Sequence, residues 1–262
     1  MRDWRCDLIF LQETKLEIVS LSVVRSLWGH FSIGFVFLKT VGASRGIIVM
    51  WDKSTFNLVS SSQGEFSITS IFQMVEGDST WAFTGVYGPQ ARVDKLRFWE
   101  ELQSIRDGWP GPWCIGGEFN EILYPQERSL GLCPMNTMID FHDFINFSAL
   151  VDLPLRGGDF TWPKSGRDAV YSKLDRFLVS LDWKEQFPVS LQSRLPRTLP
   201  DHFSVKLERA KLDRGKVPFK FENMWLRAEG FSNLIKKWWE KEEVQGFASY
   251  VLRRNSRLLR WS

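Results

Sequence analysis

Cysteine is scarce in this 262-residue chain: Cys6, Cys114 and Cys133 are far apart, odd in number and form no C-x-x-C pair. A disulfide framework and a zinc knuckle are both excluded, and a reducing compartment is expected. Histidine is equally rare. His30, His142 and His202 are the whole complement, and none stands in the H-E-x-x-H spacing of a helical zinc protease. No G-x-x-x-x-G-K-[ST] loop is present and no G-x-G-x-x-G follows a strand, so no nucleotide cofactor is expected. Long apolar runs are missing too, and nothing approaches the ~20 consecutive residues of a membrane-spanning helix. The segment from Met1 to Asp7 carries acids and has no long apolar run behind it, unlike a secretory signal. An intracellular protein without a membrane segment is the expectation.

What is present is the composition of a folded protein, 44% hydrophobic and 25% charged. Thirteen Trp and 21 Phe stand against only four Tyr, which favours a bulky core over a base-stacking surface. The net charge of +3 hides an asymmetry. Residues 1–202 hold 20 Lys/Arg against 24 Asp/Glu, whereas residues 203–262 hold 14 against 7. The end of the chain is therefore basic, a feature shared by phosphate-binding segments and by solvated helices.

Short apolar or alternating runs at 7–11, 46–51, 66–75, 81–87 and 113–117 predict strands. The turn residues Glu76-Gly77-Asp78-Ser79 make a hairpin of the third and fourth. Helical spacing places Leu96, Trp99, Leu102 and Ile105 on one face of 92–106, and Ile139, Phe144 and Phe147 on one face of 137–147. A mid-chain antiparallel hairpin breaks a strict βαβ rhythm, so a mixed α/β fold with sheet-on-sheet packing is expected. From Leu212 the texture changes: Gly215-Lys216-Val217-Pro218 reads as a linker, and helices are predicted at 231–243 and 247–261. In the last, Arg253, Arg254, Arg257 and Arg260 share a face and are the candidate phosphate contacts of the tail.

The chemistry concentrates at strand ends, where side chains leave a rigid sheet for a loop-lined surface. Glu13 ends the first run and could hold a hard divalent cation. Tyr87 leaves its strand just before Gly88-Pro89 and could donate to a phosphate oxygen. Two glycines precede Glu118-Phe119-Asn120, and a carboxylate beside an amide is what a general base needs to hold and deprotonate a water. Tyr171 to Val179 reads as a strand with Asp175 in its middle, and Asp201-His202 pairs an acid with an imidazole. Each alone is also what a solvated strand end would display.

Taken in order, Leu11-Gln12-Glu13-Thr14-Lys15, Gly85-Val86-Tyr87-Gly88-Pro89, Gly116-Gly117-Glu118-Phe119-Asn120, Ser172-Lys173-Leu174-Asp175-Arg176 and Asp201-His202 resemble the endonuclease/exonuclease/phosphatase superfamily. More closely the chain is similar to the apurinic-type endonuclease domain of plant non-LTR (LINE-type) retrotransposons, whose flanks Phe160-Thr161-Trp162 and Phe221-Glu222-Asn223-Met224-Trp225-Leu226 resemble. The resemblance implies a two-sheet α/β sandwich over 1–211, with 212–262 a linker and basic helical tail. It implies Mg²⁺, or Mn²⁺ in its place, and hydrolysis of DNA phosphodiesters, with nuclear location following from the substrate.

Residue by residue, it implies metal binding by Glu13 and support from Asp201, a phosphate contact from Tyr87, and water activation by Glu118 and Asn120. Asp175 would orient His202, which would stabilise the phosphoryl oxygens. Two departures are expected to matter. The family carries Asp where this chain has Glu118, and family members begin with an Asn-bearing strand that this chain is expected to lack. An impaired nuclease is one expectation, a non-catalytic retroelement remnant that binds nucleic acid a second, and a phosphatase of small phosphodiesters a third.

Overall fold

The computed structural model describes residues 6–29, 32–39, 46–131, 135–164, 169–197 and 202–209. The chain divides into two units, Met1–Lys211 and Leu212–Ser262, and every described residue belongs to the first. The tail arginines Arg253, Arg254, Arg257 and Arg260, and Asp201, lie outside the described residues.

In chain order the described elements are β1 (Leu8–Leu11), α1 (Leu21–Trp28), β2 (Ile33–Leu38), β3 (Ile47–Asp52), β4 (Phe56–Gln63), β5 (Ser67–Met74) and β6 (Thr80–Tyr87). They continue with α2 (Arg92–Gly108), β7 (Trp113–Glu118), α3 (Met135–Phe147), β8 (Leu150–Asp152), β9 (Leu155–Arg156) and β10 (Trp162–Lys164). The last are β11 (Val170–Ser172), β12 (Asp175–Ser180), α4 (Leu181–Gln186), β13 (Ser190–Arg194) and β14 (Val205–Arg209). Six strands form the main sheet in the order β4-β5-β6-β7-β12-β8. Three-stranded sheets β1-β3-β2 and β14-β13-β9 and the hairpin β10-β11 complete the set.

Alternation along the central strands decides the layering. In β6, Ala82 and Val86 join Phe98, Trp99 and Leu102 of α2 and Phe141 and Phe144 of α3 in one core. Trp81, Phe83 and Tyr87 face the other way and pack with Ile47, Val49 and Trp51 of β3 in a second core. With apolar neighbours on both sides, β6 is buried almost throughout, which is why its sequence reads as a continuous apolar run. The outcome is the α/β sandwich expected. Among the described residues many of the aromatics are core, and Trp99 stacks on Phe119, Phe141 and Phe144.

Local chemistry sets the boundaries. Ser20 caps α1 by accepting the Val23 N–H, and Gly29, at φ 72°, closes it with an N–H to the Arg25 carbonyl. Ser180 ends β12, caps α4 and accepts the Trp113 N–H at 2.9 Å, tying strand, helix and neighbouring strand at one hydroxyl. The 76–79 hairpin forms as expected, with Gly77 at φ 102° and the Met74 N–H donating to the Ser79 carbonyl.

Three sequence expectations need correction. The inward face of α2 is Lys95, Phe98, Trp99 and Leu102, while Leu96 is exposed. Burial of Lys95 rotates the helix from the all-apolar face the spacing suggested. On α3 the buried residues are Thr137, Met138, Phe141, Phe144 and Ile145, while Ile139 and Phe147 face outward. The run 171–179 is broken at Lys173 and Leu174, so Asp175 opens β12 and does not sit in mid-strand. Both interrupting residues are diverted: the Lys173 ammonium turns to Asp152 and Glu127, and the Leu174 N–H turns to the Thr161 hydroxyl.

Candidate active site

Strand pairing builds the site. The parallel β6–β7 ladder sets Tyr87 opposite Glu118, and the antiparallel β7–β12 ladder sets Asp175 opposite Glu118 from the other side. Residues opposite one another share a sheet face, so three side chains from three strands form one row. His202 joins it with Nδ1 2.8 Å from Asp175 Oδ2 and Nε2 3.7 Å from Glu118 Oε2. Across the seam from the three-stranded sheet comes Glu13, just after β1, whose carboxylate accepts the Tyr87 hydroxyl. Glu13, Tyr87, Glu118, Asn120, Asp175 and His202 therefore converge from positions up to 189 residues apart.

Gly117 is required by this geometry. Its φ is +141°, and a Cβ there would lie 2.1 Å from the Val86 carbonyl oxygen. We expect Gly117→Ala to destabilise the protein by about 1–3 kcal/mol in urea unfolding, because both the dihedral and the β6–β7 spacing would be strained. Glu13 and Asn120 also sit at positive φ, 53° and 50°. Such conformations cost about 1–3 kcal/mol where nothing compensates, and they cluster at functional sites. The Asn120 turn is held from two sides: its Nδ2 donates to the Gly88 carbonyl at 2.9 Å, and the Lys95 ammonium donates to its main-chain oxygen at 2.6 Å.

Two contributors escaped the sequence reading. Gln12 donates from Nε2 to Asp175 Oδ1 at 2.9 Å and accepts the Glu118 N–H at 3.0 Å, bridging both acids. The Thr161 hydroxyl, fully buried, accepts the N–H groups of Leu174 and Asp175 at 3.0 Å each. Gln12 adjoins Glu13 and Thr161 lies in the Phe160-Thr161-Trp162 flank, so both were visible as neighbours of motifs but not as participants. The Trp162 and His202 rings are 6.4 Å apart.

Charge is crowded here. Burial, then the neighbouring Asp175 carboxylate, pushes Glu118 up to about 8, with His202 opposing. Burial alone would lower the His202 pKa, but the hydrogen bond to Asp175 and the charges of Asp175, Glu118 and Glu13 outweigh it and raise the pKa. Burial and the Glu13 hydrogen bond push Tyr87 up, so its phenol is a donor at neutral pH. The Asn120 amide acts the other way on both Tyr87 and Glu118, favouring their ionised forms.

A hard divalent cation fits this donor set. Ligand atoms of Glu118, Asp175 and His202 lie within 4.8 Å of one another, and the carboxylates repel in a way a cation relieves. Among the described residues no helix is long and apolar enough to cross a membrane.

No family model matches the sequence, and no curated protein is similar to it. Solved structures are. An AP endonuclease, LMAP, from Leishmania major has a TM-score of 0.60 at 15% identity, covering 78% of each chain. The endonuclease domain of TRAS1, a telomere-specific non-LTR retrotransposon, has a TM-score of 0.60 at 10% identity, covering 80% of this chain and 89% of its own. An endonuclease/exonuclease/phosphatase family protein from Bacteroides thetaiotaomicron follows at 0.52 and 17%, covering 78% and 83%. At these identities the likeness is one of fold. The chain folds as an α/β sandwich of the endonuclease/exonuclease/phosphatase type.

Proposed function

We propose that this protein is a metal-dependent phosphodiesterase that nicks DNA, of non-LTR retrotransposon descent. The observation that carries the reading is the Tyr87–Glu118–Asp175 row with His202 seated on Asp175. Support comes from the likeness to an AP endonuclease and to a retrotransposon endonuclease domain. Mg²⁺, or Mn²⁺ in its place, would be held by Glu13 with support from Asp201. When bound, the cation would neutralise charge on the phosphate oxygens.

The side chains do the rest. Ionised Glu118 accepts a proton from the attacking water, and Asn120 fixes that water's direction. His202, whose protonated form Asp175 favours, donates to a phosphoryl oxygen as negative charge builds on it. Tyr87 donates its phenolic hydrogen to a second oxygen, exchanging Glu13 for the phosphate. Contacts of the tail arginines Arg253, Arg254, Arg257 and Arg260 with DNA phosphates, and action in the nucleus, belong to the same proposal.

Nicking of supercoiled plasmid tests it. We expect relaxed circles with Mg²⁺ and none with EDTA. Failure to cut DNA alongside turnover of a small phosphodiester would move the assignment to a phosphatase. A second reading, an impaired or non-catalytic remnant, is favoured by Glu118, whose extra methylene displaces the carboxylate by about an ångström and whose raised pKa disfavours the ionised form a base needs. On that reading Glu118→Asp nicks faster, by up to ~100-fold. Equal or slower nicking would mean that the site is tuned to glutamate.

A further inference from the structure

Lys95 is out of place. It lies on the inward face of α2 among Phe98, Trp99 and Leu102, and only 4% of its surface is exposed. An ammonium removed from water to this degree is costly unless every donor finds a partner. Its partners come from one short segment. Nζ lies 2.9 Å from the Glu121 carboxylate and 2.6 Å from the main-chain oxygen of Asn120. Glu121, itself buried, spends its other oxygen on the Ile122 N–H at 3.1 Å. Carboxylate and ammonium thus close a small network around the residue that follows Phe119.

That residue has the unusual backbone. Asn120 is at φ 50°, a conformation asparagine tolerates better than most residues but which still needs support. Its carbonyl lies past the end of β7 and is half-buried, and Lys95 supplies it with a charged donor. Its side chain is aimed by the same turn toward Gly88, Tyr87 and Glu118. A one-ångström error at an aligned group costs about 100-fold in rate.

We propose that Lys95 is a positioning residue of the site: its buried ammonium holds the Asn120 carbonyl, and through it the left-handed turn that aims the Asn120 amide. The inference rests on the reading of Asn120 as a residue that touches the water or phosphate. Glu121 is the counter-charge that makes a buried ammonium tolerable, and it does not itself reach Asn120.

The test compares the full chain with Lys95→Met/Glu121→Leu, which replaces the ion pair by apolar side chains and so preserves the fold. Glu121→Gln is the control that removes the counter-charge but keeps the Lys95 ammonium, a side-chain oxygen for it at position 121, and its donor to the Asn120 carbonyl. Two readouts are taken on variants that melt cooperatively. In plasmid nicking we expect the double variant to lose about 10- to 100-fold in kcat with KM for DNA unchanged within about twofold. In the Asn120→Ala background the same change should cost nothing further, because its route to the chemistry has been removed.

In asparagine-selective ¹⁵N spectra, the side-chain amide pair of Asn120, identified by its loss in Asn120→Ala, should shift and lose exchange protection in the double variant but not in Glu121→Gln. Unmoved Asn120 resonances would overturn the proposal. So would an equal loss of kcat in the Asn120→Ala background, which is what a purely structural lysine would give. If the wild-type chain does not nick DNA and the Asn120 resonances still move, the positioning role stands and only the nuclease assignment falls.

Discussion

Asn120→Ala is expected to slow Mg²⁺-dependent nicking by about 10²–10³-fold in kcat, to a residual rate still measurable at high enzyme concentration, while leaving the melting temperature within a few degrees. The amide is half-exposed at a strand end, so its removal takes away one hydrogen bond to Gly88 and little packing. His202→Ala should match it. That ring is held by Asp175 at 2.8 Å and stands over Glu118, so its loss removes a phosphate donor and leaves two acids uncompensated. The pair should be far from additive, since both act on one transition state. Nicking that survives in both variants would refute the site as drawn, whereas a wild-type chain that does not nick would leave the remnant as the reading.

The second large effect lies beneath the site, in a buried quartet of charges. Arg176 is fully buried; its guanidinium grips Glu127 through two bonds of 3.0 and 2.7 Å, reaches Asp152 at 2.9 Å and donates to the Lys173 carbonyl at 2.9 Å. Lys173 completes the set with ammonium contacts of 2.8 Å to Asp152 and 3.1 Å to Glu127. We expect Arg176→Met to cost about 3–5 kcal/mol in urea unfolding, because it leaves the two half-buried carboxylates with Lys173 as their shared counter-charge.

The same quartet predicts an acid-labile fold. Burial alone would raise the Glu127 pKa, but the Arg176 charge and hydrogen bonds, with Lys173 and the Leu123 N–H, hold it below its ordinary value of 4.5. A carboxylate depressed on folding contributes stability that is fully present above 4.5 and is lost as pH falls through its lower folded value. Urea midpoints should therefore drop below pH 4.5 and flatten in Glu127→Gln. A wild-type profile no steeper than the variant's would refute the assignment.

These two predictions mark what the sequence could and could not reveal. Strand ends were legible because turn residues announce them: Gly116-Gly117 before Glu118 and Gly88-Pro89 after Tyr87 are local signals, and ordered spacing made them one pattern. The sandwich was legible for the same reason, since antiparallel strands and apolar alternation are read residue by residue. The quartet was not. Lys173 and Arg176 find their partners at Glu127 and Asp152, 21 to 49 residues away, and nothing local distinguishes a paired buried charge from a solvated one. Lys95 was missed on identical grounds, and with it the true inward face of α2. Gln12 was passed over because an amide carries no charge to attract notice, although it touches two of the acids.

Gln12 also has a bearing on how the protein would fail. It follows β1, a strand of the three-stranded sheet, yet both of its side-chain bonds go to the ends of β7 and β12 in the six-stranded sheet. The Tyr87–Glu13 bond crosses the same seam in the opposite sense. The reactive centre is thus stitched across the joint between two layers and belongs to neither. A slight sliding of one layer over the other would disassemble it while each sheet keeps its own ladder intact, so gentle heating is expected to take the site apart before the fold melts.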